Sequence, residues 1–83
     1  MYFVYIIYNE EADKFYIGQT DDLEQRIIYH NTHEFNNSYT SRFAGHWNVI
    51  YKESYSDRTS SLKREKQLKS FQGRQFIKKL LPR

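Results

Sequence analysis

With 83 residues the chain has room for one domain, 1–83, and a thin core, because a chain of this size buries only about 60% of the surface it exposes when unfolded. A hydrophobic share of 39% and an aromatic share of 18%, with eight Tyr, six Phe and one Trp, exclude a disordered tail, and the absence of cysteine excludes disulfide staples and thiolate metal sites and makes a reducing compartment the default. The net charge of +3 divides unevenly: residues 1–57 hold four basic and nine acidic side chains, whereas residues 58–83 hold nine basic ones and a single acid, Glu65. That asymmetry points to a polyanionic partner, with an ordinary solvated Lys/Arg helix face as the alternative.

The opening run MYFVYIIYNEEAD has no basic flank and no small-residue cleavage site and is too short to span a bilayer, which predicts a cytoplasmic protein with no membrane contact. Residues 2–8 and 14–18 are β-branched and aromatic on either side of the polar link NEEAD, the pattern of a β-hairpin. A link centred between Glu10 and Glu11 sets Tyr8 opposite Asp13, Ile6 opposite Phe15 and Tyr5 opposite Tyr16, so that two phenols stand side by side on one face. Asp21 and Glu24 have the capping-box spacing, and Leu23 and Ile27 supply an apolar stripe for a helix from about Asp22 to His30. Arg26 follows Leu23 by three residues and His30 follows Ile27 by three, so both lie along the edge of that stripe.

Residues 31–46, NTHEFNNSYTSRFAGH, show no clear period, and a connection this long in a small domain is usually functional. His30 and His33 are three apart, but no third ligand follows at zinc spacing, and a helix-end histidine also serves as a cap or core filler. Trp47, Val49 and Tyr51 alternate with Asn48 and Lys52 as a third strand. Ser56 or Asp57 caps a helix from about Arg58 to Ser70. Gly73 marks a break before a final helix closed by Pro82. The result is an α+β domain, a small three-stranded antiparallel sheet flanked by helices in the order β-β-α-β-α-α. On the first basic helix Glu65 stands three residues from both Leu62 and Leu68, with Phe71 beyond, and so falls on the apolar stripe while Lys63, Arg64 and Lys66 turn outward or to the flanks. An inward carboxylate needs a partner; spacing leaves open an ion pair with Arg26 and a divalent-metal site.

Four segments in order, Phe3–Tyr5 (FVY), Tyr16–Gly18 (YIG), TDDLEQRIIYHN with Arg26 and His30, and LKREKQLKS with Glu65, resemble the GIY-YIG nuclease superfamily over nearly the whole chain, closest to its small stand-alone bacterial members, whose pattern also includes a Tyr-Thr step, here Tyr39 and Thr40. The resemblance implies a divalent-metal-dependent DNA endonuclease that hydrolyses phosphodiester bonds, structure-selective and acting in DNA repair or recombination. By the same resemblance Tyr5 helps deprotonate the attacking water, Tyr16 orients water or phosphate, Arg26 holds the scissile phosphate, His30 orients or relays a proton, and Glu65 ligates Mg2+ or Mn2+. Tyr39, Thr40, Arg64, Lys66, Lys69, Arg74 and Lys78 are the expected nucleic-acid contacts. The chain departs from the pattern in having Phe3 and Val4 for a glycine and an isoleucine, and in having no match for the asparagine that many members place after the metal-ligand helix. No segment here serves as a separate DNA-reading domain, so specificity falls to DNA shape, a protein partner or a homodimer. The alternatives are a non-catalytic nucleic-acid-binding module of the same fold, in which Tyr5 and Tyr16 are a structural cross-strand pair, and a protein-interaction adaptor.

Overall fold

The computed structural model describes residues 1–32 and 39–81. Strands β1 (Tyr2–Asn9), β2 (Lys14–Thr20) and β3 (Trp47–Tyr55) form an antiparallel sheet in the order β2-β1-β3. Helix α1 (Leu23–Thr32) follows β2, a single 3-10 turn (Tyr39–Arg42) precedes β3, and α2 (Arg58–Leu68) and α3 (Phe71–Leu80) follow it. Because β1 is central and every residue from Val4 to Asn9 is buried, both faces of the sheet need a cover. Alternation divides the strand accordingly. Val4, Ile6 and Tyr8 join Ile17, Leu68, Ile77 and Leu81 in one core under α2 and α3, while Tyr5, Ile7 and Trp47 form a second with Leu23 and Ile27 of α1. Among the described residues no helix is long and apolar enough to cross a membrane.

The hairpin forms in a different register from the symmetric one. Its end pair is Asn9 with Lys14, so Tyr5 opposes Gly18 and Ile7 opposes Tyr16. The four-residue loop shifts from residues 9–12 to residues 10–13: Asp13 takes a left-handed φ of 53°, Asn9 Oδ1 accepts from Ala12 N at 3.0 Å, and Tyr8 donates to Asp13 Oδ1 at 2.7 Å. The displacement is two residues, an even number, so Tyr5 and Tyr16 remain on one face as diagonal neighbours.

Four further sequence expectations are corrected. Helix α1 is capped by Asp22, whose Oδ1 accepts from Gln25 N at 3.1 Å, and not through the Asp21–Glu24 pair; it runs two residues past His30, where the Asn31 amide brackets Trp47, accepting from its N at 2.8 Å and donating to its O at 3.1 Å. In β3 the register shifts between Ile6 and Ile7 of its partner. That bulge moves Tyr51 to the α2–α3 face, away from Trp47 and Val49. On α2 the buried line is Ser61 and Leu68, whereas Leu62 is 42% and Phe71 77% exposed, because the short hydroxyl of Ser61 lets the helix approach the sheet. Asp57 caps α2, and Ser70 starts α3 by accepting from Gly73 N at 3.3 Å. Gly73 therefore lies inside α3. A Cβ there would stand 2.4 Å from the Leu68 Cα and carbonyl oxygen, so the glycine permits the close α2–α3 corner. Pro82, expected to close the last helix, and His33 lie outside the described residues.

Candidate active site

Three side chains from three elements make a buried chain of hydrogen bonds. Tyr5, 1% exposed, stands at the middle of β1, and its hydroxyl is 2.8 Å from Nε2 of His30, itself 3% exposed. The Nδ1 of His30 is 2.9 Å from Oγ1 of Thr40, 1% exposed. His30 reaches the sheet because it continues the inner line of α1 one turn beyond Ile27. Thr40 is held by its backbone, whose carbonyl accepts from the Trp47 indole at 3.3 Å. The Tyr5 ring lies flat across Gly18: a Cβ at that position would stand 2.3 Å from the phenol oxygen. Glycine in the middle of a strand is thus a condition for the phenol's position.

Around this chain the groups become progressively more open. The half-buried Tyr16 ring lies 5.0 Å from the His30 ring and 6.4 Å from that of Tyr5, and Tyr29 meets His30 edge-on at 5.5 Å. Arg26 is exposed, with its guanidinium 5.3 Å from the Tyr29 ring centre. Arg26 thus stands at the rim of the site while His30 is the inward member of the pair. From α2 comes Glu65, whose partner is Lys69 Nζ at 3.3 Å and not Arg26.

The electrostatics follow from burial. Desolvation, reinforced by the Arg26 charge, pushes His30 down to about 4, so the imidazole is neutral at pH 7. Burial, and next Tyr16, hold the Tyr5 phenol well above its ordinary value; Arg26 opposes this and Glu65 adds to it, so both charges act on that hydroxyl. Tyr5 is therefore protonated at neutral pH. The charge field of one phenol gathers Tyr5, Tyr16, Arg26 and Glu65, with His30 bonded to it.

The other sequence candidates are distributed differently. Lys66, Lys69, Arg74 and Lys78 are exposed. The half-buried Arg64 instead grips Glu53 of β3 with Nε–Oε1 2.9 Å and Nη2–Oε2 3.1 Å, and the Tyr51 and Tyr55 hydroxyls donate to the same carboxylate, so its guanidinium ties α2 to the sheet. Thr40 is interior, bonded to His30. The Tyr39 side chain lies outside what the structure describes. Sequence reasoning missed the roles of Gly18 and Thr40; a glycine inside a β-branched strand was the available signal for the first, and nothing local signals the second.

The described residues contain no group of three or more His, Cys, Asp or Glu that could hold a metal ion. Zinc, which takes three or four protein ligands, is a poor match. A lone carboxylate suits Mg2+ or Mn2+, which are held by one or two carboxylates together with water and phosphate oxygens, and the ion that Glu65 now faces is a half-exposed lysine on its own helix at 3.3 Å, readily exchanged for a cation.

A small α+β domain with a tyrosine–histidine chain, a rim arginine and a solitary glutamate is the class that fold and site define. The family model for the GIY-YIG catalytic domain matches residues 1–78. The chain belongs to the GIY-YIG family, whose domains are generally nucleases and typically use divalent metals. Among solved structures it is similar to the UPF0213 protein BH0048 from Bacillus halodurans, determined by solution NMR, with a TM-score of 0.54 and 20% identity, covering 96% of this chain and 85% of that one; the likeness is one of fold. No curated protein matches the sequence.

Proposed function

We propose that this domain is a divalent-metal-dependent DNA endonuclease that hydrolyses a phosphodiester bond in branched or flapped DNA, the kinds of structure that repair and recombination create. The observation that carries the reading is the 2.8 Å contact between the Tyr5 hydroxyl and a neutral, buried His30, with Arg26 and Glu65 both acting electrostatically on that hydroxyl. With its proton on Nδ1, donated to Thr40, His30 accepts the Tyr5 proton at Nε2 while the phenol oxygen takes one from the attacking water. Tyr5 itself never carries a lasting charge, which its burial would oppose. Arg26 meets the scissile phosphate at the solvent edge and offsets the charge that grows on its oxygens. Tyr16 packs against His30 and turns its phenol toward water or phosphate. Glu65 would hold the magnesium or manganese ion, which supplies Lewis acidity to the phosphate and the departing 3′ oxygen.

The test is incubation of flapped, branched and plain duplex DNA with the protein and Mg2+ or Mn2+. Nicking of the first two that disappears with EDTA and in Glu65→Ala supports the proposal. Salt-sensitive binding through Lys66, Lys69, Arg74 and Lys78 that survives chelation and Glu65→Ala, with no cleavage under either metal, overturns it in favour of a non-catalytic binding module.

A further inference from the structure

The face of the sheet that carries α1 is only partly covered. Along the flank of α1 toward β3 runs an open apolar groove of about 660 Å³, walled by Leu23, Ile27 and Ile28 of α1 and by Val49 of β3. Its walls belong to one side of the sheet: Leu23 and Ile27 pack on the core of Tyr5, Ile7 and Trp47, and Val49 stands opposite Ile7. Ile28 is 48% and Val49 39% exposed, so no described residue covers them. The rim at the start of α1 is acidic, with Asp21, Asp22 and Glu24 against Lys52 on the β3 side, the one cation of the lining. Across the sheet, α3 presents the complement. Phe71 is 77% exposed, more than any other large apolar side chain among the described residues. Arg74 and Lys78, both exposed, follow it on the same helix at the spacing that sets all three on one solvent-facing stripe.

We propose that the groove receives the Phe71 stripe of a second copy of this chain, with the phenyl ring against Ile28 and Val49 and with Arg74 and Lys78 beside the acids of the rim. Charge decides the pairing. Two grooves facing each other would set three acids against three, and DNA would meet the same acids, whereas groove and stripe are opposite in charge and share an exposed apolar centre. Spacing agrees: with α3 antiparallel to α1, the helical rise puts Arg74 about 4.5 Å and Lys78 about 10.5 Å beyond Phe71, close to the roughly 6 Å and 9 Å that separate Glu24 and Asp22 from Ile28. The contact is head-to-tail, so every pair leaves one stripe and one groove free for further copies. One phenyl ring and a few rim charges fall short of the roughly 1,200–2,000 Å² of a stable interface, and the association is weak. It stands independently of the nuclease reading. Under that reading Arg74 and Lys78 are also DNA contacts, so a docked copy and DNA exclude one another on the stripe.

The experiment is a complementation between two variants at exposed positions, Phe71→Ser, which lacks the ring, and Ile28→Lys, which spoils the groove, each with the far-UV circular dichroism of the wild type; Val49→Lys serves as a second groove variant. Amide spectra of the 15N-labelled wild type, taken from about 10 μM to about 1 mM to span the range of a weak contact, are expected to move at residues 21–28 and 49 and at residues 71–78 together. Neither variant moves alone. Labelled Ile28→Lys mixed with unlabelled Phe71→Ser moves only at residues 71–78, and the reverse labelling moves only at residues 21–28 and 49. Wild-type spectra that do not change with concentration, wild-type shifts at one surface without the other, or a mixture of the variants that stays silent overturns the proposal.

Discussion

At the scale of single residues, the proton on His30 is the variable that matters. A threonine hydroxyl 2.9 Å from Nδ1 can accept from that nitrogen, and only then is Nε2 free to take the Tyr5 proton. Thr40→Val removes the acceptor and favours the other tautomer, which donates to Tyr5 and blocks the transfer. Cleavage by Thr40→Val is expected to fall on the order of 100-fold, while Thr40→Ser stays within a few-fold of wild type; equal rates for the two variants contradict the role. The same histidine sets a pH signature. Its value falls from 6.5 in the unfolded chain to about 4 in the fold, so the unfolded state binds the proton first as pH drops. Its contribution to stability is whole above pH 6.5 and is lost between there and about 4, with a ceiling on the order of 3 kcal/mol. Urea unfolding from pH 7 to 4 should show this loss in the wild type and a shallower one in His30→Gln. Spacing along α1 brought Arg26 and His30 to the right helix face, and the family-like pattern marked the tyrosines and Glu65. Thr40, expected as a nucleic-acid contact, is instead buried against His30, and that contact was not legible because it spans residues of no regular period.

Element by element, patterns with a short repeat were legible, and positions set by close approach were not. The period of a strand fixes which face a side chain takes, and for that reason a hairpin register wrong by two still put Tyr5 and Tyr16 together. The β3 bulge breaks the same rule by one residue, and Tyr51 changed face. Gly73 shows the other limit: glycine after a basic helix reads as a stop, yet the reason for it is the Leu68 backbone 2.4 Å from where a Cβ would be. Gly73→Ala forces the corner apart and should cost at the upper end of about 1–3 kcal/mol in chemical denaturation. Gly18→Ala meets a side chain instead of backbone. It should displace the Tyr5 phenol and reduce cleavage by far more than its stability loss explains, and unchanged cleavage by a folded Gly18→Ala protein would remove the reason given for that glycine.

Across the whole molecule, a mildly acidic body holds the buried Tyr5–His30–Thr40 chain, and a basic C-terminal third supplies the charge that meets DNA in the function proposed above. The division was visible in the order of charges alone. What the order concealed was that Arg64 belongs to the body through Glu53. DNA affinity should therefore fall with salt, and Lys66→Ala and Lys78→Ala should each lower the slope of log K against log salt by about 1 if each cation meets a phosphate. The measurement that bears most directly on the account is single-turnover cleavage of a flapped duplex in Mg2+ by Tyr5→Phe, which removes one oxygen and leaves the ring over Gly18. The account predicts a folded protein that binds the flap as the wild type does and cuts it at least about 100-fold more slowly; cleavage at the wild-type rate would contradict it.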